Sequence, residues 1–162
     1  MIEANDQHAR FLKRLDASRP SVFKVAEWLH RQGFTIKVPS ISYADYASEH
    51  LKHVDEGDLF IKKPNDADWM RVEVKHVSLE FDESGKWPFK TVIVSNKNAI
   101  DRADPLPVAY VLVNKSMTHG GIVYSKTKNE WSEKKILAKN TGNIETFYVC
   151  SPSILKFVKL GE

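Results

Sequence analysis

The stretch "GDLFIKKPNDADWMRVEVKH", residues 57–76, reads as two strands around a turn. Pro64, Asn65, Asp66 and Asp68 supply the turn chemistry, and the flanking residues are rich in β-branched and aromatic types. Strand side chains alternate faces, so Met70, Val72 and Val74 share one side while Glu73 and Lys75 share the other. An exposed acid–lysine pair is commonplace and contributes about 0–1 kcal/mol. A hairpin closed by residues 64–68 adds more. It is expected to set Asp58 opposite Val74 or Lys75, so that two carboxylates and one ammonium converge.

Outward from that hairpin, the chain alternates helical and extended patterns. Asp6 to Leu15 reads as a first helix. "SRPSVFKVAEWLHRQG" reads as a second, with Pro20 in its first turn, Gly33 at its stop and a stripe of Val22, Val25, Ala26 and Leu29. "FTIKVPSI" is a strand closed by Pro39, and "SYADYASEHLKHV" suits a helix or a structured loop. Downstream come a loop at "DESGKWP", a strand "KTVIVS", a short helix around "NKNAIDRAD" and the buried strand "PVAYVLVN". "GGIVYS" pairs with that strand, "NEWSEKKILAKN" reads as a helix, and "IETFYVC" reads as another strand before "SPSILKFVKL". The expectation is one α/β domain over residues 1–162, a mixed central sheet flanked by helices. Its core spans about 20–114, completed by C-terminal strands and a helix over 119–162.

Composition bounds the rest. With 42% hydrophobic and 28% charged residues, the chain is ordinary for a globular protein and unlike a disordered one. A net charge of +3 is compatible with a polyanionic partner and does not demonstrate one. The single cysteine, Cys150, excludes an intrachain disulfide and a thiolate metal cluster, and it reads as a small buried hydrophobe. The charged start lacks the apolar segment of a secretory signal, and no run has the roughly 20 apolar residues of a membrane helix. A cytoplasmic location is the expectation.

The Asp58/Glu73/Lys75 set suits one kind of chemistry. Two carboxylates and a backbone carbonyl, that of Val74, are hard oxygen donors of the type that binds Mg²⁺. Such an ion polarises a phosphodiester and activates water, and the lysine beside it positions the nucleophile electrostatically. The order Asp58, fourteen intervening residues, then Glu73-Val74-Lys75 resembles the PD-(D/E)xK nuclease superfamily, whose fold is that of many restriction endonucleases. Gly57 stands where that motif's first residue is proline.

The resemblance covers residues from about Pro20 to Asn114 and implies an element order of helix, strand, acid-bearing strand, ExK strand, helix, strand. It further implies a Mg²⁺-dependent nuclease acting on DNA, more an endonuclease than an exonuclease. Mn²⁺ is expected to substitute. Asp58 and Glu73 would serve as metal ligands and Lys75 would serve the nucleophile. Compact relatives often work as dimers, so a homodimer is held open. The alternative is a catalytically inactive nucleic-acid-binding or protein-interaction domain on the same fold.

Other residues carry weaker signals. The superfamily often adds a helical glutamate, for which Glu27 and Glu49 are the candidates, although Glu27 points away from the apolar stripe of its helix. His76 shares the face of Val74 and is expected to be a hydrogen-bonded core histidine. Asn96, Lys97, Asn98 and Arg102 are placed to hold phosphate or position water, or simply to start a solvated helix. Lys62 and Lys63 could track a nucleic-acid backbone, and the tryptophans could stack on bases; ordinary surface and core packing are the competing readings.

Overall fold

A computed structural model describes residues 19–39, 59–139 and 141–161. Asp6 to Leu15, "SYADYASEHLKHV", Glu49 and Asp58 lie outside the described residues. Helix α1 covers residues 19–31. The strands follow as β1 (Thr35–Lys37), β2 (Leu59–Lys62), β3 (Met70–His76) and β4 (Val92–Asn96). After helix α2 (Lys97–Arg102) come β5 (Ala109–Val113), β6 (His119–Tyr124), β7 (Ser132–Leu137), β8 (Ile144–Cys150) and β9 (Lys156–Lys159).

The larger sheet has six strands in the order β1-β2-β3-β5-β6-β9. Its pairs are antiparallel except β3 with β5, which run parallel, so the sheet is mixed. A parallel pair needs a crossover connection, and residues 77–108, carrying β4 and α2, provide it. The register sets Leu59 opposite Val72 and Ile61 opposite Met70. This differs by one or two residues from the expected hairpin register, because the residues between paired Ile61 and Met70, 62–69, have their midpoint between Asn65 and Asp66 rather than on Asp66.

Two apolar layers sandwich this sheet. On one face α1 buries Val22, Val25, Ala26 and Leu29 against Leu59, Ile61, Val72, Val74, Val111 and Ile122. That is the stripe expected from helical spacing, and each fully buried aliphatic side chain contributes about 1.5–3 kcal/mol. Gly33 ends the helix at a φ of 94°, a left-handed value that a side chain would strain.

The opposite face departs from the expectation of a sheet flanked by helices. A three-stranded sheet, β4-β8-β7, covers it, and Val92, Val94 and Cys150 pack with Ile100 of α2 on Tyr110, Leu112 and Val123. The buried Cys150 thiol is pushed up to about 11 by desolvation, as befits a packed hydrophobe.

"NEWSEKKILAKN" accounts for the difference. It was expected to be a helix but runs from a 3-10 segment, Ser125–Glu130, into edge strand β7, paired with β8 from Ser132↔Val149 to Leu137↔Ile144. Its helix-favouring Glu and Lys residues lose to a full ladder with β8, and on an edge strand those charges face solvent. Among the described residues, the helical segments after residue 119 are this 3-10 stretch and Pro152–Ile154.

β6 runs close under the segment that leads into β9. A Cβ built on Gly121 would lie 2.8 Å from Leu155 Cδ2, and Leu155 is itself buried. Gly121→Ala should therefore lower stability by about 1–3 kcal/mol through overpacking, read as a fall in thermal midpoint. An unchanged midpoint would mean that Leu155 retreats freely.

Candidate functional site

β3 is the third strand of the larger sheet and divides its side chains between the two layers. Val72 and Val74 enter the core under α1, as the alternation requires. Arg71, Glu73 and Lys75 project to the other side, giving a line of positive, negative and positive groups. Glu73 and Lys75 are held together. Lys75 Nζ lies 3.4 Å from Glu73 Oε1, with side chains 33% and 24% exposed respectively, so the pair is neither free in water nor sealed off.

A second strand fixes the lysine. Lys75 Nζ donates to Ser95 Oγ at 2.8 Å, and Ser95 is buried. Consecutive residues of a regular strand face opposite ways, yet Val94 and Ser95 are both buried. The β4–β8 register slips between Ile93 and Ser95, and this irregularity turns Ser95 inward toward β3. The sequence offered only a serine closing an apolar run, which does not announce such a slip.

Tyr110 is the other contributor that the sequence reading passed over, because it lies inside the apolar run of β5. It stands directly opposite Glu73 and is fully buried, and its hydroxyl has no hydrogen-bond partner among the described residues. Burial raises its pKa, and the Glu73 carboxylate raises it further, with Arg71 opposing. The phenol therefore stays protonated, a neutral donor beside an acid. Trp131 meets its ring edge-on at a centroid distance of 6.1 Å. Tyr110→Phe should leave the thermal midpoint unchanged or raise it, since an unpaired buried hydroxyl costs about 1–3 kcal/mol. A clear fall would show that the hydroxyl has a partner.

The other anticipated residues are placed differently. Glu27 ion-pairs with Arg31 at 3.0 Å on the solvent side of α1, across the sheet from Glu73, so it does not join this site. His76, the last residue of β3, is exposed rather than in the core; its Nε2 is 3.1 Å from the Lys115 carbonyl oxygen.

Asn96 caps α2 by accepting from the Asn98 N–H at 2.9 Å, and it donates to Glu145 at 2.6 Å. Lys97 is committed to Asp101 and Glu133 at 2.9 and 3.0 Å and to the Tyr148 hydroxyl at 2.9 Å. Those bonds raise its pKa, and they neutralise it as a phosphate ligand.

Among the described residues, no three acidic, histidine or cysteine side chains come together as a metal cluster. Glu73 is the described carboxylate of the expected set. Val74, whose backbone carbonyl was the third donor, is buried in β3 and paired with Val111 of β5. No family model, curated protein or solved structure matches the chain. Among the described residues, no helix is long and apolar enough to cross a membrane.

Proposed function

We propose that this chain is a Mg²⁺-dependent nuclease that hydrolyses phosphodiester bonds of DNA, with its site on the Glu73–Lys75 face of β3. One observation carries the reading: an acid and a lysine two residues apart on an interior strand, with the lysine pinned to a buried serine and the acid opposite a buried tyrosine. A decorative surface pair has no need of Ser95 or Tyr110. The larger sheet supports the resemblance to restriction-endonuclease-like folds: β3 and β5 are parallel neighbours joined by a crossover that contains α2, although β4, a strand of the second sheet, intervenes between β3 and α2.

The reading requires one more rung of the β2–β3 ladder. Leu59 stands opposite Val72 at the first described rung, and the proposal requires Asp58 to pair with Glu73 beyond it. Directly opposed residues hold their Cβ atoms about 4.5–5.5 Å apart, a span over which two carboxylates share one ion. The donor set fits a hard divalent cation: Asp58 and Glu73 would hold it together with the Val74 carbonyl. When bound, Mg²⁺ supplies a Lewis acid for the phosphoryl oxygens and acidifies water.

The chain's own groups do the positioning. Lys75, bridged between Glu73 and Ser95, presents a fixed ammonium to the anionic reacting group. Tyr110, buried opposite Glu73 with no hydrogen-bond partner for its hydroxyl among the described residues, backs the acid from the core side.

Incubation of plasmid, linear, single-stranded and branched DNA with the protein in Mg²⁺, in Mn²⁺ and in chelator tests the proposal. Cleavage that requires the metal is the expected result. DNA binding that survives in chelator with no cleavage in either metal would favour a non-cleaving binding domain instead.

A further inference from the structure

Among the described residues, the face that carries Glu73 is covered over only part of its width. The β4-β8-β7 layer buries Tyr110, Leu112 and Val123 of β5 and β6, and no residue of β1 or β2 belongs to that buried cluster. Leu59 and Ile61 point into the α1 core, so Phe60 and Lys62 point the other way, onto the face of Arg71 and Glu73. Register adds Lys37, opposite Phe60, to the same side, with Phe60 itself opposite Arg71.

The side chains there are organised around aromatic rings. Lys37 Nζ lies 5.0 Å from the Phe60 ring centroid and 4.9 Å from that of Trp69, and Lys62 Nζ lies 4.8 Å from the Trp69 centroid. Phe60 and Trp69 are both half-buried. Neither lysine ion-pairs with a carboxylate among the described residues, unlike Lys97, which has two such partners. Two ammonium groups are thus gathered on one indole with no carboxylate partner among the described residues, and exposed Lys63 follows Lys62 in sequence. Ring quadrupoles hold such cations in place without cancelling their charge.

We propose that this β1–β2 half of the face binds a single-stranded segment of nucleic acid and leads it along β3 to Glu73 and Lys75. Phosphates are drawn to Lys37 and Lys62. As an ammonium moves from the ring to a phosphate oxygen, it frees the face of Trp69 or Phe60 for a base. A duplex gains the phosphate contacts only, because its bases are paired and stacked; an unpaired strand gains both. Trp69 precedes Glu73 by four residues, about 13 Å of strand, so the bound segment lies a few nucleotides from the reacting phosphate. The identity of the terminus of this path rests on the nuclease reading; the binding itself does not.

Fluorescence anisotropy of a labelled twenty-nucleotide oligo(dT) and of a duplex of equal length, in chelator over a range of salt, tests the inference. The oligo(dT) should bind at least about tenfold more tightly than the duplex and quench tryptophan emission, with the quench largely lost in Trp69→Phe. Lys37→Ala combined with Lys62→Ala should weaken oligo(dT) at least about tenfold and reduce the salt slope by about 1.4, or 0.7 per phosphate contact. Lys37→Arg combined with Lys62→Arg should keep the affinity, which separates lost charge from lost folding.

Equal or tighter binding of duplex, no binding of oligo(dT), or a parental affinity and slope in the double alanine variant would overturn the inference. Metal-dependent cleavage by the parent protein is read separately. A protein that prefers single strands but never cuts refutes the nuclease reading alone. One that cuts without that preference refutes this inference alone.

Discussion

Glu73→Gln should reduce metal-dependent cleavage of DNA by about a hundredfold or more, a loss of at least about 2.7 kcal/mol of transition-state stabilisation. The substitution preserves size and a hydrogen-bonding oxygen, and it leaves Lys75 bonded to Ser95 at 2.8 Å, so the fold should be untouched. What disappears is the negative charge, which a hard divalent cation needs and which an exposed ion pair scarcely uses. Lys75→Ala should match it in lost cleavage while retaining DNA binding in chelator, since the lysine addresses the reacting group rather than the ion. Initial rates at saturating Mg²⁺, with circular dichroism as the control for folding, check both variants. Parental cleavage by Glu73→Gln would reduce the pair to an ordinary salt bridge.

Asn114→Ala should cost about 2–4 kcal/mol of stability and lower the thermal midpoint by on the order of 10 °C. Asn114 is fully buried at the end of β5 and is satisfied on both sides of its amide. Its Nδ2 donates to the Phe81 carbonyl and Thr118 Oγ1, each at 3.0 Å, while Oδ1 accepts from the N–H groups of Thr118 and His119 at 2.9 and 3.1 Å. These bonds clamp the β5–β6 turn, in which Met117 holds a left-handed φ of 58°, a conformation unfavourable for any residue with a side chain. Alanine removes the side-chain partners of two backbone N–H groups and a carbonyl at once. Chemical denaturation checks the magnitude, and a change below about 1 kcal/mol would mean that water or local relaxation replaces the asparagine.

Much of the scaffold was legible because local rules and tertiary contacts agree there. The Val22/Val25/Ala26/Leu29 stripe, the alternation along β3 and the apolar run of β5 each have one low-energy burial pattern, and each takes it. β7 shows the opposite case. "SEKKIL" favours a helix on its own but is drawn into a ladder with β8, a partner that no local pattern reveals.

The candidate site divides in the same way. Glu73 and Lys75 were legible as side chains sharing a face, because period-two alternation is a property of the backbone alone. Ser95 and Tyr110 were not, since their proximity depends on a register slip in β4 and on the parallel pairing of β5 with β3. The sequence by itself determined which side of each strand is apolar, because that follows from covalent geometry and the aversion of hydrocarbon to water. Only the tertiary structure decided which strands adjoin, which half of the Glu73 face the second sheet covers, and which polar atoms meet Lys75. Those outcomes depend on contacts between residues distant in sequence, and local periodicity carries no information about such contacts.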